Sequence, residues 1–401
     1  MNEKLLHTPE GVRDIYDAEC KKKKKVISQI HHVLELYSYQ DIDTPSFEYF
    51  DIFNMDKGSA ASNEMYKFFD RNNNTLVLRP DITPSIARSV AKYYPEEQLP
   101  IRLCYAGNTF LNTHQHQGKL SEFTQIGGEL INDDSSAADA EIIACVIHCL
   151  LAAGLKEFQI EIGEVEFFKG MIEEAGLDDE TEQRIKEYIH SKNFFGLTEF
   201  VNTLEIPEER KTALKSFESL FGGLDMLDHA EKLVTNAASL EAIARMRKVY
   251  TLTSYGYEKY VSFDLSMINR FNYYTGIVFR GYTYGTGDAI VKGGRYNSLM
   301  EKFGKKAPSV GFAIYVDDLM SAIARNKIDV ALDYSNVLVL YKEEDQKEAI
   351  AYACKLRAED QKVELVRMSR RHDLQEYIDY AHKMHFAKLC YFEAADKITE
   401  Y

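Results

Sequence analysis

Two pairs of polar side chains interrupt apolar, strand-like segments of this sequence and suit the binding of a small polar ligand. Asp81 and Thr83 lie in LRPDIT, at the end of one such segment, and Gln125 and Glu129 lie four residues apart in FTQIGGE. In an extended chain, residues two or four apart share one face. Carboxylates bind cationic amines, and buried polar groups need hydrogen-bond partners. The two pairs therefore indicate a pocket for a ligand that carries an amino group.

Other features near these pairs allow two interpretations each. The first pair could instead cap a helix that begins near Pro84, and the second pair could be satisfied by solvent at a sheet edge. Gly293 and Gly294 permit either a close approach of the backbone to a neighbour or a tight turn. Three tyrosines supply aromatic walls with polar tips to the predicted pocket: Tyr273, Tyr274 and Tyr296.

The remaining composition excludes several classes of function. The chain of 401 residues has a formal net charge of −15, which argues against a nucleic-acid partner. It contains no GxSxG, HExxH, P-loop or dinucleotide motif and no CxxC pair. Cys145, His148 and Cys149 lie in an apolar run and are interpreted as core residues. We expect no metal, no cofactor, no membrane association and a cytoplasmic location, since the N-terminal segment lacks an apolar signal core.

The elements that position these residues predict an α+β fold with a mostly antiparallel sheet. Strand-like segments are interrupted by helices without regular βαβ alternation. One of these helices is predicted to begin with Ser136 and Asp139 at capping-box spacing. Residues 166–255 are charged and helix-patterned and predict a helical insertion within a domain that covers 1–325. Alternating strands and helices predict a small α/β domain over 330–401.

Taken in order, the motifs resemble those of histidyl-tRNA synthetases, which are class II aminoacyl-tRNA synthetases. TPEGVRDIY resembles the start of that family, and YQDIDTPSFEYFDIF resembles motif 1, which builds a dimer interface around its proline, here Pro45. LRPDIT matches the segment that holds the amino group of histidine. The segment Cys104 to Glu129 resembles motif 2, INRFNYYTGIVF the histidine-specific tyrosine motif, and APSVGFAIYVDDL motif 3. The resemblance implies a class II synthetase-like fold over about residues 7 to 320.

The cationic residues that active members of this family use on ATP are replaced here. Leu111 stands where the motif 2 arginine is expected, and Thr113 where a glutamate follows it. Asn269 replaces the arginine before the two tyrosines, and Asp318 replaces the motif 3 arginine that holds the γ-phosphate. Removing one group that stabilises developing charge commonly costs roughly 10²-fold in rate. The resemblance therefore implies loss of adenylation.

The amino-acid half of the pocket matches the family. By that resemblance, histidine is held without being activated, and Arg270 takes over its carboxylate. The implied histidine-binding residues are Asp81, Thr83, Gln125, Glu129, Arg270, Tyr273, Tyr274 and Tyr296.

A synthetase-like chain with these losses resembles the regulatory subunits of ATP phosphoribosyltransferase. The resemblance implies a non-catalytic subunit that supports the short-form catalytic subunit and carries feedback inhibition by histidine, in the first step of histidine biosynthesis. It also implies a homodimer through the motif 1-like region, within a hetero-octamer. Two alternatives remain open. One is a divergent, active histidine–tRNA ligase. The other is a tRNA or histidine sensor that uses a modest basic group in the C-terminal domain: Lys362, Arg367, Arg370 and Arg371.

Overall fold

The computed structural model describes residues 6–53, 60–112, 120–253, 256–268, 274–394 and 397–401. The chain divides into two compact units, Met1–Val330 and Ala331–Tyr401. Of the helices in the described ranges, none is both long and apolar enough to cross a bilayer.

The first unit is built on a nine-stranded sheet. The strands of this sheet are β1 (Gln40–Asp41), β5 (Ile101–Phe110), β6 (Glu122–Ile131), β7 (Phe158–Glu164), β8 (Phe221–Gly222), β9 (Val261–Asp264), β10 (Ile277–Thr283), β11 (Val291–Arg295) and β12 (Ser309–Tyr315). A second, small sheet contains β2 (Phe47–Tyr49), β3 (Lys67–Phe69) and β4 (Thr75–Leu78). The large sheet has the order β1-β5-β6-β12-β11-β10-β7-β9-β8 and the small sheet β2-β4-β3. Strands β1 and β5 pair in parallel, as do β7 and β9, and the other pairs are antiparallel. The predicted mostly antiparallel α+β fold is confirmed.

The helices of this unit are α1 (Asp17–Leu36), α2 (Thr83–Tyr93), α3 (Ser136–Ala152), α4 (Val165–Ala175), α5 (Asp179–His190), α6 (Phe194–Asn202), α7 (Glu208–Lys215), α8 (Leu224–Glu231), α9 (Ala237–Thr253), α10 (Asn297–Glu301) and α11 (Val316–Arg325). Helices α4 to α9 form the insertion. It is not wholly helical as predicted, because β8 pairs with β9 at the edge of the large sheet. Such pairing satisfies backbone groups that a short linker would otherwise leave to solvent.

Side chains alternate along β6, so its core residues lie on one face of the sheet and its polar residues on the other. Ile126 and Leu130 are fully buried in the main apolar core, which also includes residues of α1 and α3. Gln125 and Glu129 occupy the alternate positions and face the other side of the sheet. On that side, α2 and α10 cover part of the sheet through a second apolar cluster that contains Tyr105. The polar residues therefore lie on the face that the main core does not use.

The second unit is a small α/β domain. Its elements are β13 (Val337–Tyr341), α12 (Gln346–Ala358), β14 (Val363–Arg367), α13 (Leu374–Lys383), β15 (Lys388–Ala394) and β16 (Lys397–Glu400). The sheet order is β14-β13-β15-β16, with the first three strands parallel, as predicted. The last strand, β16, is antiparallel to β15 and was not predicted.

Candidate amino-acid binding site

A buried carboxylate lies at the centre of the candidate site. Glu129 is 1% exposed. Its Oε1 accepts a hydrogen bond from Thr83 Oγ1 at 2.7 Å, and its Oε2 accepts one from the hydroxyl of Tyr296. Burial raises the pKa of Glu129 to about 8, and the two hydrogen bonds oppose that rise while the nearby Asp81 adds to it. The structure thus brings together four of the predicted residues around one carboxyl group.

Glycines in the sheet make room for these side chains. Gly311 pairs with Glu129 across β12 and β6, and a Cβ at position 311 would lie 1.6 Å from Glu129 Oε2. A Cβ at position 294 would lie 2.7 Å from the ring of Tyr274, and one at position 293 would lie 2.3 Å from the ring of Phe279. Gly293 and Gly294 both lie inside β11. The tight-turn interpretation of these two glycines is therefore wrong, and they serve close packing of rings against the backbone.

Asp81 combines the two roles that the sequence left open. Its Oδ1 accepts hydrogen bonds from the backbone N–H groups of Ile82, at 2.7 Å, and Thr83, at 3.4 Å, so it supports the start of α2. Pro84 lies in the first turn, as expected. The half-buried carboxylate is also close enough to raise the pKa of Glu129 and, after burial, that of Tyr274. Asp81 therefore adds a second carboxyl group to the site.

Gln125 lies on the same face of β6, four residues before Glu129. It is 3% exposed, and its amide oxygen has no hydrogen-bond partner among the residues that the structure describes. It pairs in register with Gly107 on β5 and with Tyr315 on β12. A buried amide oxygen without a donor is costly. A ligand that donates a hydrogen bond at this position would satisfy it.

Arg79 is a pocket residue that the sequence interpretation missed. It is 5% exposed, and its Nε and Nη1 donate to the backbone oxygens of Asn108 and Thr44. Its Nη2 lies over Gly107, 2.3 Å from where a Cβ would stand, on the face that carries Gln125. Within the described ranges, Nη2 has no acceptor. An arginine at the end of an apolar strand was the available signal, because a buried cation needs partners.

The predicted tyrosines fall into two groups. Tyr296 is buried against Glu129, and Tyr274 is half-buried beside Met267 and Val278. Burial raises the pKa of Tyr274, and the carboxylates of Asp81 and Glu129 raise it further. The other predicted positions on this segment lie outside the described residues: Asn269, Arg270 and Tyr273.

The first turn of α11, where the motif 3 resemblance expects an arginine, is acidic here. Asp317 and Asp318 occupy the first turn of α11, where the positive end of the helix dipole favours anions. Asp317 accepts hydrogen bonds from Lys23 Nζ at 2.7 Å and from the backbone N–H of Thr124 at 2.8 Å. Leu111 is half-buried with its backbone N–H bonded to Ser121, and Thr113 lies outside the described residues. A phosphate near Asp318 would meet like charge, which is strongly unfavourable where water is scarce.

Comparisons with known proteins place this architecture in a family. The sequence model described as histidyl-tRNA synthetase matches residues 11–319. A protein from Acetivibrio thermocellus named ATP phosphoribosyltransferase regulatory subunit is 40% identical over 366 residues, which cover 91% of this chain and 88% of the relative. A protein of the same name from Ruminiclostridium cellulolyticum is 39% identical, over 99% of this chain and 94% of the relative.

A solved structure supports the same assignment. It comes from Bacillus halodurans, is titled an ATP phosphoribosyltransferase regulatory subunit/histidyl-tRNA synthetase, and is 32% identical with a TM-score of 0.87 over 96% of this chain and 98% of that one. The fold and these likenesses define a class II synthetase-like protein. The chain belongs to the histidyl-tRNA synthetase family and, within it, to the ATP phosphoribosyltransferase regulatory subunits.

Proposed function

We propose that this chain is a regulatory subunit without catalysis of its own, which supports a short-form ATP phosphoribosyltransferase catalytic subunit and transmits inhibition by histidine. The observation that carries the proposal is the contrast between the two halves of the site. Glu129, Thr83 and Tyr296 form a buried hydrogen-bonded set, whereas Asp318 in the first turn of α11 stands where the resemblance expects the arginine that holds the γ-phosphate. Such a site holds an amino acid and repels the triphosphate needed to activate it.

Histidine in this pocket would act by stabilising one arrangement of the complex over another. Its ammonium group meets the carboxylates of Asp81 and Glu129, and its ring lies between Tyr274 and Tyr296. Coupling free energies of about 1 to 3 kcal/mol are typical of allosteric effectors and correspond to roughly 5- to 150-fold changes in affinity. An inhibitor of this kind needs no contact with the catalytic centre of the partner chain.

The test is reconstitution with a purified short-form catalytic subunit. We expect phosphoribosyl transfer to rise when this chain is added and to fall when histidine is then supplied. Asp81→Ala and Glu129→Ala should weaken the inhibition while leaving the activation in place, because both side chains lie in the pocket. Glu122→Gln, on the same strand but bonded to Asn108 outside the pocket, is the matched control. Failure of this chain to activate the catalytic subunit would refute the proposal.

The carboxylate of histidine requires a cation, and we propose that Arg79 supplies it. Arg270 was predicted for this role and lies outside the described residues. Arg79 Nη2 lies over Gly107, the register partner of Gln125, and the buried amide oxygen of Gln125 has no hydrogen-bond partner among the described residues. A guanidinium already fixed by two backbone oxygens is preorganised to receive a carboxylate.

A substitution that keeps the charge and removes the planar fork tests this role. We expect Arg79→Lys to weaken histidine binding about tenfold or more, because a charge-assisted hydrogen bond contributes about 1.5 to 3 kcal/mol. The same substitution should leave the weaker binding of histidinamide, which lacks the carboxylate, nearly unchanged. Isothermal titration with both ligands measures the difference. Equal losses for histidine and histidinamide would show that Arg79 acts only through the fold.

We propose that the small sheet forms a homodimer contact, as the resemblance of its segment to motif 1 implies. Phe47 and Tyr49 on β2 are 52% and 56% exposed, and Phe68 on β3 packs edge-on against Phe47 with ring centroids 5.7 Å apart. Exposed aromatic clusters of this size mark interaction surfaces. A self-complementary face of this kind suits a two-fold axis.

Light scattering on size-exclusion fractions tests the dimer. We expect Phe47→Asp with Tyr49→Asp to convert a dimer into a monomer at micromolar concentration, because two buried charges would face each other across the axis. Tyr284→Asp, at a residue that is 74% exposed outside the small sheet, is the control and should remain dimeric. A wild-type chain that elutes as a monomer would contradict the prediction.

One observation weakens the alternative of a tRNA sensor. Of the basic group in the second unit, Lys362 pairs with Asp333 at 3.0 Å and Arg367 lies 3.7 Å from Glu343. Half of its positive charge is therefore balanced locally, which leaves little to neutralise phosphates.

A further inference from the structure

A second cavity lies on the same sheet, at the boundary with the helical insertion. Its volume is about 400 Å³, within the range of small-molecule sites. The floor is formed by side chains of β7 and β10, and the walls by residues of the insertion and of the segment after β9. None of the predicted histidine-binding residues in the described ranges lines it. The cavity is therefore a separate site from the pocket around Glu129.

The floor of this cavity presents two opposite charges that attract each other without forming a contact ion pair. Glu161 and Arg280 are cross-strand partners on β7 and β10, and both side chains are half-buried. Opposite charges in such positions commonly attract each other into contact. Arg280 and Lys192 both attract the Glu161 carboxylate, but within the described part of the chain neither the Glu161 nor the Arg280 side chain forms a direct hydrogen bond or a contact ion pair. Half-buried charged groups without partners are costly, which points to a ligand that satisfies both.

The other polar groups of the cavity are already satisfied. Lys192 Nζ donates to Ser266 Oγ at 2.7 Å and to Asp264 Oδ2 at 3.3 Å, which joins the insertion to the segment after β9. The other oxygen of Asp264 accepts from the backbone N–H of Ser266 at 2.8 Å. With Glu218 at the rim, three carboxylates surround the cavity against two permanent cations. A nucleotide or another polyanion would be repelled, so the ligand has no large net negative charge.

Aromatic side chains complete the walls. Phe217 is fully buried, Phe194 and Tyr282 are half-buried, and all three line the cavity. Pockets for small ligands combine such apolar walls with a few placed polar groups. We propose that this cavity binds a small zwitterion of the α-amino-acid class, with its carboxylate on Arg280, its ammonium group on Glu161 and its side chain against the aromatic walls.

The position of the cavity suits an effector rather than a substrate. Met267 lines it and also belongs to the apolar cluster that packs against Tyr274 of the histidine pocket. A ligand here would contact the insertion and, through Met267, a wall of the first site. The proposal goes beyond the proposed function and does not depend on it.

The experiment screens the twenty L-amino acids for binding to the full chain by isothermal titration, in the Glu129→Gln background, which weakens binding at the first pocket. We expect at least one to bind, and its affinity to fall about tenfold or more in both Arg280→Gln and Glu161→Gln, each of which removes one charge-assisted contact. Lys292→Gln is the matched control, since Lys292 is the cross-strand partner of Arg280 on β11 and does not line the cavity.

Two results would overturn the proposal. One is that no amino acid binds in the Glu129→Gln background. The other is that binding is unaffected by both floor substitutions, or is lost equally with Lys292→Gln. If Arg280→Gln does not fold, as judged by its circular dichroism, the nearly isosteric Glu161→Gln decides the question by itself. Because the readout is binding to the isolated chain, the result is independent of whether the chain activates a catalytic partner.

Discussion

Asp139→Ala is expected to lower the free energy of unfolding of the first unit by about 3 to 5 kcal/mol, the range found when one partner of a buried ion pair is removed. Asp139 is fully buried, and its Oδ1 accepts from Arg295 Nε at 3.0 Å and Nη2 at 2.7 Å. Arg295 is itself 2% exposed. Its guanidinium cannot reach bulk water, so the substitution removes the buried carboxylate and leaves Arg295 with only the exposed Asp134 as an acidic partner. Thermal denaturation followed by circular dichroism measures the loss.

The chain provides a matched control for this prediction. Asp134 contacts the same Arg295 at 3.2 Å, but its side chain is 61% exposed. Because exposed pairs contribute only about 0 to 1 kcal/mol, Asp134→Ala should have a small effect. The double variant Asp139→Ala with Arg295→Met should recover part of the loss, since it removes the stranded charge. Similar melting temperatures for Asp134→Ala and Asp139→Ala would contradict the assignment.

The role of Asp139 also shows where sequence interpretation reaches its limit. The spacing of Ser136 and Asp139 predicted a capping box, and this prediction is wrong. The N-cap is Ser135, whose hydroxyl accepts from the backbone N–H of Ala138 at 3.2 Å. Asp139 turns inward to an arginine 156 residues away in the chain. Local spacing carries no information about a partner at that separation, and burial of the pair overrides the local preference.

Patterns with a period of two were more informative. The spacing in FTQIGGE predicted that Gln125 and Glu129 share one face of a strand, and in β6 they lie on the face opposite the core residues Ile126 and Leu130. The pleat of the strand itself causes this alternation, so it does not depend on which strands pair with β6. Alternation along one strand does not indicate which other strands pair with it. Arg79 reaches the pocket only because β5 places Gly107 beneath its guanidinium, which required the assembled sheet.

The second cavity could be predicted from the sequence only in part, for the same reason. Arg280 and Glu161 lie in segments that were predicted as strands, but their register across β10 and β7 was not predictable from either segment alone. The walls come from the helical insertion and from the segment after β9, and neither strand segment indicates these contacts. Charged residues inside apolar strands are therefore a useful signal of a site, whereas the partner strand must come from the structure.

Glu129→Gln is expected to change both stability and histidine binding in a manner that depends on pH. The pKa of Glu129 is raised to about 8 by burial, from 4.5 for an exposed glutamate. Below about 4.5 the carboxyl group is protonated in both the folded and the unfolded chain. As pH rises towards 8, the unfolded chain loses this proton first, so the wild type is progressively destabilised, by an amount on the order of a few kcal/mol. Glutamine does not titrate, so the melting temperature of the variant should rise relative to wild type between pH 5 and pH 8.

Histidine binding should show the opposite dependence. At pH 7 the free pocket holds Glu129 mostly protonated, and the ammonium group of the ligand must drive its ionisation. This costs about 1.4 kcal/mol, or a factor of ten in affinity, for each pH unit below the pKa. The affinity of wild type relative to Glu129→Gln should therefore increase from pH 6.5 to about pH 8 and then level off. The ratio cancels the titration of histidine itself, which is common to both proteins.

The two measurements separate the electrostatics of the pocket from its ligand. Glu122→Gln, on the same strand, should reproduce the wild-type pH profile in both, because its carboxylate lies outside the pocket and bonds to Asn108. If the difference in melting temperature is independent of pH, Glu129 does not titrate near 8 and the buried carboxylate is already ionised. If the stability difference follows pH as expected but the affinity ratio does not, histidine binds without contacting Glu129. If both the stability difference and the affinity ratio follow pH as expected, burial keeps Glu129 neutral in the free pocket. The ammonium group of the ligand then favours its ionised form.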